Sequence, residues 1–168
     1  MAKHRRAVET IVTIAQIPRH PPTLFLKPEA TLREALQLML EKRINHIPLC
    51  DGDGRFCGMV STAAILNELI PVSARGLHGL ADLKFAGDAT RMLSAHLRDL
   101  ENRTVLDMAK TNLPVLDESC PTLEAALLLS QSHTPLPVIG PDRKLLGMLS
   151  RRALLDYLVR EMEAANAR

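Results

Sequence analysis

Two stretches of the chain repeat one another, each ending in a glycine, two apolar residues and a serine: Gly58-Met59-Val60-Ser61 and Gly147-Met148-Leu149-Ser150. The correspondence extends outward. Thr31, Ala35, Leu36 and Leu38 match Thr122, Ala126, Leu127 and Leu129; after a two-residue shortening, Ile47-Pro48-Leu49 matches Leu136-Pro137-Val138. Asp53, Leu66 and Leu69 find partners in Asp142, Leu155 and Leu158. A chain built twice from one unit has few folds open to it, and two copies are too few for a solenoid.

Each copy carries the same succession of local signals. In the first, Thr31 and Glu34 form a capping box ahead of Leu32, Ala35, Leu36, Met39 and Leu40, whose spacing predicts a one-faced helix over 32–43. Thr23-Leu24-Phe25-Leu26 reads as a short strand before it, and Ile47-Pro48-Leu49-Cys50 as another after it. Asp51-Gly52-Asp53-Gly54 is turn chemistry leading into a return strand over 56–60, and Ser61 caps a second helix over 62–69. The second copy predicts a strand over 114–116, a helix from 123, a strand over 136–139, a turn at 141–143, a strand over 145–149 and a closing helix after Ser150. The expected fold class is α+β: two β-α-β-β-α repeats packed sheet to sheet, joined by a long, partly helical connection. The segments along the chain are 1–69, 70–103 and 104–168. Within the connection, Pro71, Gly76 and Gly79 suit a loop, and 88–101 reads as a capped helix with Met92, Leu93, Leu97 and Leu100 on one side. That helix either covers a flank of its own module or binds a partner.

Composition narrows the function classes. With no Trp, one Tyr and three Phe in 168 residues, the core is aliphatic, and the stacking platforms of single-stranded nucleic-acid binders are missing. A net charge of +2 gives no further push toward nucleic acid, and the basic Lys3-His4-Arg5-Arg6 cluster reads as a solvated tail. No apolar run approaches a membrane span, and three cysteines fit a reducing compartment, so the expectation is a cytoplasmic protein without a membrane partner. Six histidines form no nucleophile and base arrangement, which speaks against an enzyme. Asp51-Gly52-Asp53-Gly54 lacks the distal Glu of a calcium loop, and Cys50, Cys57 and His46 lack a fourth ligand for zinc. Cys120 precedes a helix whose N-terminus lowers a thiol pKa, yet it has no resolving partner.

A capped helix, an apolar-Pro-apolar strand, an Asp/Gly turn, Gly-apolar-apolar-Ser and a leucine-rich helix together resemble the cystathionine-β-synthase (CBS) domain, and two in tandem resemble a Bateman module. The resemblance spans nearly all of the chain except the first dozen residues and the long connection. It implies a regulatory module without catalysis that binds adenosine nucleotides (AMP, ADP or ATP), pairs into a homodimer and acts on an effector protein. It also implies two ligand clefts between the repeats. The first would use Leu24, Ile44, Asn45, His46, Pro48, Met59 and Ser61; the second Val115, His133, Thr134, Pro135, Pro137, Met148 and Ser150.

The chain departs from the family at one position in each copy. The Asp that accepts from the ribose hydroxyls, three residues after the serine, is Ala64 in one and Ala153 in the other. Losing such a charge-assisted hydrogen bond costs about 1.5–3 kcal/mol, or roughly ten- to a hundredfold in affinity. Arg151 and Arg152 follow Ser150, two cations in the first turn of a helix. A phosphate there would offset the unfavourable helix dipole; alternatively both point into water or pair with acids such as Asp156. Three readings stay open: a nucleotide sensor, a sensor of a phosphorylated metabolite without a ribose diol, and a dimerisation scaffold with degenerate sites.

Overall fold

A computed structural model describes residues 12–19, 24–75 and 89–167, with the side chains of residues 73 and 74 excepted. Thr23, Gly76, Gly79, Asp88, the basic cluster at 3–6 and His20 and His78 lie outside them.

The first repeat contains α1 (Leu32–Lys42), β1 (His46–Cys50), β2 (Phe56–Ser61) and α2 (Thr62–Leu69), followed by a short helix α3 (Val72–Arg75) and the connecting helix α4 (Thr90–Leu100). The Thr31 hydroxyl accepts from the Glu34 amide at 3.2 Å while the Glu34 carboxylate accepts from the Thr31 amide at 2.7 Å, closing the capping box and holding the Glu34 carboxyl below its ordinary range. At the other end the helix stops at Lys42, one residue short of expectation, because Arg43 takes the left-handed conformation (φ 53°), and the Ile44 amide returns to the Met39 carbonyl at 3.0 Å. That is a Schellman closure made without glycine.

Strands β1 and β2 pair antiparallel with His46 opposite Ser61 and Pro48 opposite Met59. Gly54 (φ 78°) supplies the left-handed residue of the turn between them. Met59 exchanges both of its backbone bonds with Lys110, at 3.0 and 2.9 Å, so it has none to trade with Pro48, and a proline is tolerated opposite it. The residues at 109–111 therefore run along β2, and Gly58 permits the approach: a Cβ there would lie 3.2 Å from the Lys110 carbonyl oxygen.

The strand expected at 23–26 shrinks to a single parallel bridge between Leu26 and Leu49. Leu26 donates to the Pro48 carbonyl at 3.1 Å and accepts from Cys50 at 3.0 Å. Continuing the ladder to Leu24 would need an N–H from residue 48, which proline lacks. In the second repeat the ladder begins at β3 (Leu116–Asp117), not at Pro114, and Leu116 lies opposite Val138. Pro137 truncates it in the same way.

The second repeat continues with α5 (Thr122–Gln131), β4 (Leu136–Ile139), β5 (Leu145–Leu149) and α6 (Arg151–Asn166), the strands ordered β3-β4-β5. Helix α5 starts one residue earlier than expected and has no side-chain cap, because the Thr122 hydroxyl donates to the Val12 carbonyl at 3.0 Å.

Contacts divide the chain differently from the three segments read along the sequence. One unit is 22–113 with 141–145; the other joins the described residues of 1–21 to 114–140 and 146–168. Ile14 and Ile17, from a 3-10 turn ahead of the first repeat, are buried with Leu116, Leu129, Leu136 and Leu149 of the second. Val105 and Met108, from the equivalent turn ahead of the second repeat, are buried with Leu32, Met39, Leu49 and Val60 of the first. The offset is that of the repeats themselves: 14 to 105, 17 to 108 and 31 to 122 are all 91 residues. Each copy thus lends its lead-in turn to the other copy's core.

Helix α4 belongs to the first unit. Leu97 and Leu100 pack on its core and His96 Nδ1 lies 3.0 Å from the Leu69 carbonyl, whereas Met92, expected on the same face, is exposed. The helix starts after Ala89, which makes no side-chain cap.

Candidate functional site

In the first repeat, the pairing of His46 with Ser61 brings the predicted residues of β1 and β2 together. Ser61 Oγ accepts from the Ala64 amide at 3.1 Å as the N-cap of α2. The Asn45 carbonyl accepts from Thr62, Ile44 packs on the core, and Pro48 and Met59 are buried. Burial holds the His46 imidazole below its ordinary range, so it is neutral at pH 7. A cavity of about 480 Å³ nearby is lined by Phe25, Leu26, Lys27, Glu29, Ala30 and Glu34, none of them a predicted site residue.

The strand registers revise one equivalence. Leu26 and Leu116 face matching partners, Leu49 and Val138, so the counterpart of Val115 is Phe25 and not Leu24. A one-residue shift along a strand reverses the face a side chain takes.

In the second repeat, Ser150 Oγ accepts from the Ala153 amide at 3.1 Å and caps the 16-residue helix α6. Upstream, Ser132 Oγ lies 3.1 Å from the Thr134 amide and donates to the Thr134 carbonyl at 2.8 Å, tightening the His133-Thr134-Pro135 bend that leads into buried Pro137. His133 is exposed; Val115 and Met148 are half-buried.

A cleft of about 390 Å³ opens at the N-terminus of α6, lined by Pro18, Arg19, Ser150, Arg152, Ala153 and Asp156. Two of the predicted residues, Ser150 and Arg152, face it. Arg151, on the same turn, does not line it. Asp156 is paired with Arg160 at 2.8 Å, and among the described residues neither Arg151 nor Arg152 has an ion-pair partner. Pairing to Asp156 is therefore not adopted, whereas the other half of that alternative stands, since both arginines are exposed to solvent.

Sequence reasoning missed Arg19. Its signal was the duplication: Arg19 sits 91 residues before Lys110, so a basic residue follows the exchanged turn in both copies. The side chain of Arg19 is 17% exposed and its Nη2 donates to Glu118, while Nη1 is wholly buried without a hydrogen-bond partner.

The sequence profile of the CBS domain family matches residues 14–71 and 105–160. The chain belongs to the CBS domain family. It carries two CBS domains in tandem, and its sequence is 30% identical over 130 residues to the chloroplastic CBS domain-containing protein CBSX1 of Arabidopsis thaliana, covering 75% of this chain and 55% of that protein. The chain spans about half the length of CBSX1 and CBSX2, the Arabidopsis relatives it matches. Its fold is that of the CBS pair CBSX2 from the same plant, with a TM-score of 0.71 at 22% identity over 92% of this chain and 99% of that one. CBSX2 has also been crystallised with AMP (TM-score 0.63, 24% identity, covering 89% and 98%). The CBS pair of protein MJ0100, in complex with 5′-methylthioadenosine and S-adenosyl-L-methionine, is similar at a TM-score of 0.60 and 16% identity, covering 90% and 99%.

Of the other centres weighed from sequence in this CBS pair, the thiol beside the α5 N-terminus departs from expectation. Cys120 is buried and its thiol is pushed up, not down, because burial outweighs the helix N-terminus beside it. No cluster of three metal-ligating side chains occurs among the described residues. No described helix is long and apolar enough to cross a membrane.

Proposed function

We propose that this CBS pair is a non-catalytic regulatory module sensing a small ligand, an adenosine nucleotide or another phosphorylated metabolite, in the cleft at the start of α6. The observation that carries this reading is the cleft itself: helix N-terminus, serine hydroxyl and unpaired guanidinium converge on one concavity of ligand size. The AMP complex of CBSX2 and the nucleoside complex of MJ0100 support the ligand class. Three free thiols support a reducing compartment, which we take to be the cytoplasm. A ligand that binds the native state alone raises the unfolding temperature. Thermal unfolding of the full chain with AMP, ADP, ATP, S-adenosylmethionine and inorganic phosphate, each at millimolar concentration, is expected to show a rise with at least one; a flat response throughout would sink the sensing role.

A second reading rests on a different surface. Leu123 and Leu127 on α5, with Leu155, Leu158, Val159 and Met162 on α6, are exposed at helical spacing. A homodimer formed through this face would bury it, and a scaffold acting through that dimer on an effector protein needs no ligand. Sedimentation of Leu127→Glu and Leu158→Glu variants should show monomers where the unaltered chain is a dimer. Unchanged mass would rule this face out.

A further inference from the structure

We propose that residues 1–11, which lie outside the described residues, pack across the bare face of α5 and α6, taking over the second repeat the place that α4 takes over the first. The segment thereby shields its own chain's apolar face from a second copy. This goes beyond ligand sensing and competes with the homodimer for one surface.

The duplication extends further upstream than the lead-in turns. His96-Leu97-Arg98-Asp99-Leu100-Glu101, the end of α4 and the residue after it, precedes one turn, and His4-Arg5-Arg6-Ala7-Val8-Glu9 precedes the other; both carry His, Arg, an apolar residue and Glu in one order and spacing. The two stretches also lead to equivalent points of the fold. The Arg103 carbonyl accepts from the amide of Leu32, first residue of α1, at 2.9 Å, and the Val12 carbonyl accepts from the amide of Thr122, first residue of α5, at 3.0 Å. Each stretch thus arrives at the start of a repeat's first helix.

Helix α4 shows what such a stretch covers. It packs against α2 with Leu97 and Leu100 on the core and His96 at the Leu69 carbonyl, and Glu101 pairs with Arg33 of α1. Over the second repeat no described residue makes the matching contacts. Leu123, which follows Thr122 as Arg33 follows Leu32, is 83% exposed; Leu158 and Val159, counterparts of half-buried Leu69 and Ile70, are exposed as well. The segment suits that face. Met1, His4, Val8 and Ile11 fall on one side at helical spacing, the first three matching Leu93, His96 and Leu100 of α4. Lys3, Arg5 and Arg6 complement Glu124, Glu161 and Glu163, acids beside the apolar residues of α5 and α6 that have no ion-pair partner among the described residues.

Limited trypsin digestion of the full chain, followed by mass spectrometry, reads the contact at Lys3, Arg5 and Arg6. Cleavage there is expected to be about tenfold slower in the unaltered chain than in Leu158→Glu, which places a charge on the apolar face from an exposed position, and to quicken likewise in the double variant Glu161→Lys with Glu163→Lys. Val8→Trp gives a second measurement in which both helices keep their residues. As the sole tryptophan of the chain it should be shielded from acrylamide, and adding Leu158→Glu should remove the shielding. Equal cleavage in all three chains, or a tryptophan quenched as freely as in the isolated peptide 1–11, would overturn the proposal. Repeating both measurements over about a hundredfold range of chain concentration, with sedimentation alongside, identifies the occupant. Protection independent of concentration in a monomer supports the contact within one chain. Protection that appears only as the chain dimerises assigns the face to a second copy, which overturns the proposal and leaves the homodimer reading in place.

Discussion

Ser150 and Ala153 are bound to one another through a single hydrogen bond, and the pair states the chemistry of the site. The serine caps the helix, so Ser150→Ala should cost about 1 kcal/mol of stability as well as phosphate affinity, the first read from urea unfolding. Ala153→Asp restores an acceptor for a ribose diol. It should create a preference for AMP over 2′-deoxy-AMP of about tenfold, measured by titration, because a bond to a carboxylate contributes about 1.5–3 kcal/mol. Those two residues were legible in the sequence because a motif repeated twice gives each position its own control. Arg19 was not legible. Its partner at 110 was visible, but linear order places it ahead of the first repeat, and only folding carries it to the second.

Titrating residues add a signature that separates burial from reactivity. Cys50 is 1% exposed and its thiol is pushed up to about 11 by burial and by the neighbouring Cys57 and Asp51, so it stays protonated at neutral pH. Ellman's reagent should therefore react with half-buried Cys57 first and reach Cys50 and Cys120 on unfolding; prompt release of three equivalents from the native chain would contradict that order. His46 works through the unfolded state. There a histidine titrates near pH 6.5, while burial lowers the folded value, so below about pH 6.5 the unfolded chain binds more protons and stability falls. His46→Gln should flatten the decline in unfolding temperature between pH 7.5 and 5.5.

Among the elements, helices and antiparallel strands followed the sequence closely, and the parallel strands did not. The helix period and the capping box are local signals, and α1, α2 and α6 start where Thr31, Ser61 and Ser150 place them. A parallel ladder depends on a distant partner, and here that partner carries a proline, so the first strand of each repeat shortens to one or two residues. Helix α5 shows the same dependence at its start, since Thr122 spends its hydroxyl on Val12. The left-handed residue that ends α1 gives a test at this scale. Arg43 adopts φ 53° where glycine would carry no Cβ penalty, and Arg43→Gly should raise stability by about 0.5–1 kcal/mol, seen as a higher denaturation midpoint at unchanged slope. A lower midpoint would show that the arginine side chain contributes more than its backbone conformation costs.

At the level of the whole chain, the duplication predicted two copies, and the cores disclose that neither copy is made from its own residues alone. Ile14 is 1% exposed in the second-repeat core, and Ile14→Ala should cost about 2–5 kcal/mol there, although the residue lies more than ninety positions before that repeat's first helix. Hydrogen exchange should report the loss at Leu129 and Leu149 and leave Met39 and Val60 protected. The sequence could not announce this exchange, because a lead-in turn of three or four residues carries the same apolar pattern whichever core receives it.

The crossing of the lead-in turns also decides where the chain can be cut. Severing it in the 70–103 connection leaves each fragment holding a piece of the other's interior, so the first repeat would lose Val105 and Met108 and the second Ile14 and Ile17. A fragment over 24–113 retains every buried residue of its core, but a fragment over 1–75 does not. Anyone borrowing one repeat as a portable sensor must therefore take the lead-in of its twin, and two halves separated at the connection should find each other again when mixed.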